Sequence, residues 1–199
     1  MNTTCPRLKV PSSGSLKEKP TTTRAIRISK SLDRILQEEA EKRNISINGL
    51  ISTVLTKFAE WDRHADQFGL ATLPTQVLQK LTQLADDNLM AKTGTELGPD
   101  LLRSEVIFWY KQASLEKVLE WFTLFSKYSG LHKVQITKTD GDYIIVIRHE
   151  MGPKWSVHLK NYFESAFKAT LGITPETEMS EFQVTLRLRN VSKMIPVQK

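Results

Sequence analysis

The residues predict a mixed α+β chain in two parts, and three observations carry that reading. Near the N-terminus a short alternating stretch is followed by two segments whose apolar residues recur at helical spacing. Beyond residue 105 the period switches repeatedly between strand-like alternation and helical stripes. The 199 residues are 40% hydrophobic, which is enough for a real core.

Charge is unevenly placed. Residues 1–30 hold Arg7, Lys9, Lys17, Lys19, Arg24, Arg27 and Lys30 against Glu18 alone, while the other 21 basic and 21 acidic residues balance. The whole net charge of +6 therefore belongs to the N-terminal segment, as in a basic arm that meets a polyanion. Residues 1–21 are rich in Ser, Thr, Pro and Lys and read as a disordered arm. Charged residues interrupt every apolar run well before the ~20 needed to cross a bilayer. The first residues contain no apolar secretory segment, so the chain reads as cytoplasmic, with no membrane partner. A single Cys, Cys5, excludes both a disulfide framework and a cysteine zinc site.

In the segment Thr22-Thr23-Arg24-Ala25-Ile26-Arg27-Ile28-Ser29, Ile26 and Ile28 share one face and Thr23, Ala25 and Arg27 the other. It reads as a one-sided strand. Ser29 or Ser31 can cap a helix striped by Leu32, Ile35, Leu36 and Ala40 and running to about Arg43. Asn44-Ile45 makes the turn. Ser46 then starts a second helix in which Ile47, Leu50, Ile51, Val54, Leu55, Phe58 and Trp61 form a broad apolar stripe that ends before Gly69. One unpaired strand and two helices bury too little surface to stand alone. The simplest partner for the strand is the same strand of a second copy.

Residues 22–62, through T-R-A-I-R-I-S-K-S-L-D-R-I-L and the N-I-S-I-N turn, resemble the ribbon-helix-helix DNA-binding proteins, the group of the MetJ and Arc repressors. The resemblance implies an intertwined homodimer whose antiparallel two-stranded ribbon enters the major groove of double-stranded DNA. It places Thr23, Ala25 and Arg27 against base edges, with Arg27 able to bond a guanine O6/N7 edge bidentately. It also places Arg24, Lys30, Ser46, Ile47 and Asn48 at phosphates, the last three through backbone N–H groups at a helix N-terminus. Ala25 departs from the polar residues usual at the ribbon centre.

From Pro74 a helix is expected with Val77, Leu78, Leu81, Leu84, Ala85 and Leu89 on one side, and residues 66–104 read as a helical connector ending in a loop over Thr93–Asp100, which holds two Gly and a Pro. Glu105–Lys111 is apolar on both faces and reads as a buried strand. Ser114 caps a helix ending near Gly130, and His132–Thr139 alternates. Asp140-Gly141 signals a tight hairpin into Asp142–His149, which is again apolar on both faces. A helix follows from Gly152-Pro153 to Gly172, and a last strand covers Phe182 to Leu188. That order is β-α-β-β-α-β, the split pattern of the ferredoxin-like fold, expected over residues 105–190, with residues 191–199 as a tail. Its first and third strands would be central, and their second apolar face would need cover from the Pro74 helix or another subunit.

A DNA-binding ribbon followed by such a domain resembles nickel-responsive repressors in architecture, whose second domain binds effector and makes a tetramer. Those proteins use several His and a Cys for metal; His132, His149 and His158, without a Cys, read here as surface or hydrogen-bonded histidines. A small-molecule effector fits the layout better, although no residue identifies it. Trp155 reads as core, and Asp140 and Asp142 as turn formers. The chain contains no Gly-rich phosphate loop, GxSxG or HExxH motif and no nucleophilic Cys in a folded region, so neither an enzyme nor a cofactor is expected. The expected function is a transcription regulator, in the manner of a repressor, that binds DNA as a dimer or tetramer. The alternative is an antitoxin or other partner-binding autoregulator.

Overall fold

The computed structural model describes residues 22–189 and Val191, so the expected disordered arm and most of the tail lie outside the described residues. By internal contacts the chain divides into two units, residues 1–47 and 48–199.

In the first unit residues 22–29, expected as a strand, form neither helix nor strand within one chain and are exposed, and α1 spans Lys30–Lys42. Ser29 caps α1, its Oγ accepting the Leu32 N–H at 3.2 Å, and Asp33 complements the positive helix end. The helix stops at Asn44, whose φ of 53° is left-handed, and Ile45 N–H returns to the Ala40 carbonyl at 3.0 Å. The expected cap and turn are both present.

α2, Ile47–Lys57, crosses the unit boundary and runs into a π-helical stretch, Phe58–Asp62, and then α3, Arg63–Phe68. Gly69, at φ 85°, ends it where the sequence reading stops the stripe. α4, Thr75–Leu84, begins at Pro74 as expected but stops short of Leu89. Gln79 Nε2 donates to the Glu150 carbonyl and Lys154 Nζ to that of Gln83, so α4 packs at the start of α7 (Pro153–Leu171).

The second unit corrects the ferredoxin-like expectation. α5 is one helix from Asp87 to Tyr110, capped by Asp86, so Thr93–Asp100 is no loop and Glu105–Lys111 is no strand. Gly94 and Gly98 lie where α5 crosses α7: a Cβ on Gly94 would meet the His158 carbonyl, and one on Gly98 the Tyr162 carbonyl. They serve close approach rather than a turn. The far end of α5 is apolar on two faces because it is covered twice. Leu102 and Val106 enter the core, while Phe108 and Trp109 pack on His64, Phe68 and Trp61.

α6, Leu115–Tyr128, is capped by Ser114 as expected. β1, Lys133–Thr139, and β2, Asp142–Arg148, form the expected hairpin, with Asp140 and Gly141 both at positive φ, as in a type I′ turn. α7 then leads to Gly172 in the left-handed region. β3, Glu176–Ser180, was not anticipated, and β4 spans Gln183–Leu188. The order is β1-β2-β4-β3, antiparallel throughout. β4, expected at an edge, is central because β3 pairs outside it. Ile145, Ile147, Val184, Leu186 and Leu188 face α5, α6 and α7 to make the core. What is formed is thus an α+β unit of element order α5-α6-β1-β2-α7-β3-β4. Among the described residues no helix is long and apolar enough to cross a membrane.

Candidate functional site

Two places bear on function. In the first, Thr23, Arg24, Ala25, Arg27 and Lys30 are all exposed on one continuous segment leading into α1. Ser46 and Asn48 are exposed and Ile47 is half-buried at the start of α2. Ile26 and Ile28 are also exposed, at 66% and 37%, although they lie on the face that the sequence assigns to a core.

In the second unit α5, α6, α7 and the inner face of β1 and β2 line a cavity of about 150 Å³. α6 contributes Trp121, Phe122 and Phe125; α7 contributes Trp155, Tyr162 and Phe163. Helical spacing puts these rings on inward faces, which is why the stripes are aromatic there. Five rings stack in series across α6 and α7: Phe125, His132, Trp155, His158 and Tyr162, with centroids 4.9 to 6.2 Å apart.

The polar groups on this wall are few and uncharged. Glu105 of α5 is only 5% exposed, and its Oε2 has no hydrogen-bond partner among the described residues. Burial pushes its carboxyl up to about 8, so it is protonated at neutral pH. The Trp155 indole N–H donates to His132 Nε2 at 3.2 Å, which leaves the proton of the neutral imidazole on Nδ1. Burial, followed by the fields of His149 and His158, holds His132 down at about 3. Thr93 gives its hydroxyl proton to the Met90 carbonyl at 3.0 Å and accepts from His158 Nδ1–H at 3.3 Å. Burial holds His158 low as well.

His149 lies apart from the cavity. Met151 N–H donates to its Nδ1 at 3.2 Å, so Nε2–H donates to Ser156 Oγ at 2.9 Å, and Ser156 donates to the Glu181 carbonyl. This chain ties the end of β2 to α7 around a neutral ring, lowered to about 4 by burial. Among the described residues no group of three or more His, Cys, Asp or Glu is arranged to hold a metal ion.

The sequence reading did not find Glu105, because a strand assignment hid the helical spacing that sets it one turn beyond Leu101 on a wall otherwise apolar. The available signal was a lone carboxylate inside an apolar run. Trp155, read as core, is partly buried against the core and forms cavity wall. The fold and these sites define the molecule as a two-unit α+β protein with an exposed basic segment and an aromatic-lined cavity. No protein-family model matches the chain, and no curated protein matches it.

Proposed function

We propose that the chain is a cytoplasmic, sequence-specific DNA-binding transcription regulator, acting as a homodimer through residues 22–62. Two copies pair their segments around Ile26 and Ile28 into an antiparallel ribbon that enters the major groove. Thr23, Ala25 and Arg27 face base edges; Arg24, Lys30 and the start of α2 at Ser46, Ile47 and Asn48 meet phosphates. The second unit serves oligomerisation or effector sensing.

The observation that carries this reading is the exposure of apolar side chains in an otherwise well-capped helical unit. Ile26, Ile28, Leu32 and Ile35 are all exposed, Ile35 at 58%. Burying an aliphatic side chain of this size contributes about 1.5–3 kcal/mol, so a partner that covers four of them offsets much of the cost of ordering one short strand, and the hydrogen bonds of a paired ribbon add to that. The alternation that turns isoleucine to one side leaves Arg27 on the other, and Arg24, Arg27 and Lys30 give that segment a positive surface.

Selection of bound sequences from random duplex DNA with the full chain tests this. Enrichment of an inverted or direct repeat is expected. Arg27→Ala should cost about 1–3 kcal/mol on the selected site and relax the preference at one base position. A pool that shows no enriched sequence would overturn the reading.

A further inference from the structure

We propose that the cavity between α5, α6, α7 and the β1–β2 face is a binding site for a compact, uncharged ring compound carrying one hydroxyl or N–H group, with Glu105 as its hydrogen-bond partner. Size comes first. An apolar space of about 150 Å³ is what a single six-membered ring with a substituent occupies. The walls then select shape. Trp121, Phe122 and Phe125 on one side and Trp155, Tyr162 and Phe163 on the other present ring faces and edges, which favour a flat aromatic guest over a branched one.

Glu105 supplies the specificity. Buried polar atoms are almost always paired, and leaving one unpaired costs about 1–3 kcal/mol. Glu105 lines a cavity whose surface is nearly all apolar, where a water would find too few of the 2–4 partners it needs, and the Oε2 of its buried carboxyl is unpaired among the described residues. A guest with one O–H or N–H removes that cost. Charge is selected against. No Lys or Arg lines the cavity, so a carboxylate guest has no counter-charge. An ammonium would require Glu105 to give up its proton in a desolvated space. His132 is already committed to Trp155 and stays neutral.

Capture of such a guest concerns residues 48–199 and does not depend on DNA binding; only its role as an effector rests on the proposed function. Calorimetric titration of the full chain without DNA keeps the two questions apart. The probes are phenol and toluene, which match in shape and exchange a hydroxyl for a methyl, and benzylamine as the cation. Phenol should bind one per chain and about tenfold more tightly than toluene, the worth of one hydrogen bond to a buried group. Glu105→Leu should abolish that preference while toluene still binds; Glu105→Gln, which keeps a polar partner, should retain most of it. If Glu105→Leu fails to fold, the phenol-to-toluene ratio on the native chain still decides. Equal affinity for phenol and toluene overturns the role of Glu105. Tighter binding of benzylamine, with proton release, overturns the uncharged class. No saturable heat from any probe up to its solubility overturns the site.

Discussion

At the scale of single residues, the second unit holds the buried Glu105, His132 and His149 neutral, and this sets how its stability must respond to pH. Burial raises Glu105 from 4.5 to about 8, so between those values the folded state holds a proton that the unfolded chain has lost, and stability falls as pH rises. Burial lowers His132 from 6.5 to about 3 and His149 to about 4, so below 6.5 the unfolded chain takes up protons that the folded state refuses, and stability falls as pH drops. Between 4.5 and 6.5 the two histidines outweigh the one carboxyl; above 6.5 only the carboxyl acts. The contribution of these groups therefore peaks near pH 6.5. Denaturant unfolding, followed by tryptophan fluorescence across this range, should show the maximum. Glu105→Gln should flatten the alkaline side, recovering roughly 2–5 kcal/mol near its upper end, since one pKa unit is worth about 1.4 kcal/mol. An alkaline limb unchanged in that variant would show that Glu105 is solvated.

At the scale of elements, whether the sequence was legible depended on whether local chemistry or tertiary contact decided the outcome. The Ser29 and Ser114 caps, the left-handed Asn44, the Asp140-Gly141 turn and the Gly172 stop are local devices, and each appears where the residues put it. α5 is the opposite case. Its two glycines and Pro99 suggest a loop, and its apolar end suggests a strand, because α7 on one side and the π stretch with α3 on the other are invisible in a linear reading. β3 was missed since Glu176–Ser180 is an exposed, polar edge whose only claim to strand structure is pairing with β4. The cavity shared this obscurity, because its carboxyl sits on α5. Gly98 tests the helix crossing. Alanine there gains up to about 1 kcal/mol of helix propensity, but its Cβ would overlap the Tyr162 carbonyl and Ser165 Oγ, and separating packed helices typically costs about 1–3 kcal/mol. Chemical denaturation of Gly98→Ala should show a net loss; a gain would mean that α5 and α7 part freely.

At the scale of the whole molecule, charge and apolar exposure are divided between the parts in a way that predicts assembly. The net positive charge lies in residues 1–30, and the exposed Ile26 and Ile28 lie within the same stretch. Beyond residue 47, Val54, Leu55 and Phe58 are exposed as well, on a helix stripe that the sequence assigns to burial. A single copy leaves this apolar surface in water, whereas the intertwined pair proposed above would cover it and give each segment a strand partner. Sedimentation of the full chain should therefore show no folded monomer at micromolar concentration. The double variant Ile26→Asp, Ile28→Asp puts four like charges across the paired ribbon and should halve the assembled mass, to a monomer from a dimer or a dimer from a tetramer. Trp61, Trp109, Trp121 and Trp155 all lie beyond residue 47, so an unchanged near-ultraviolet spectrum would show that the second unit remains folded in the variant. A native chain that sediments as a folded monomer would overturn the dimer, and with it the ribbon. A variant that keeps its full mass would place the contact between copies elsewhere, leaving Arg27 without the paired strand it needs to reach a base.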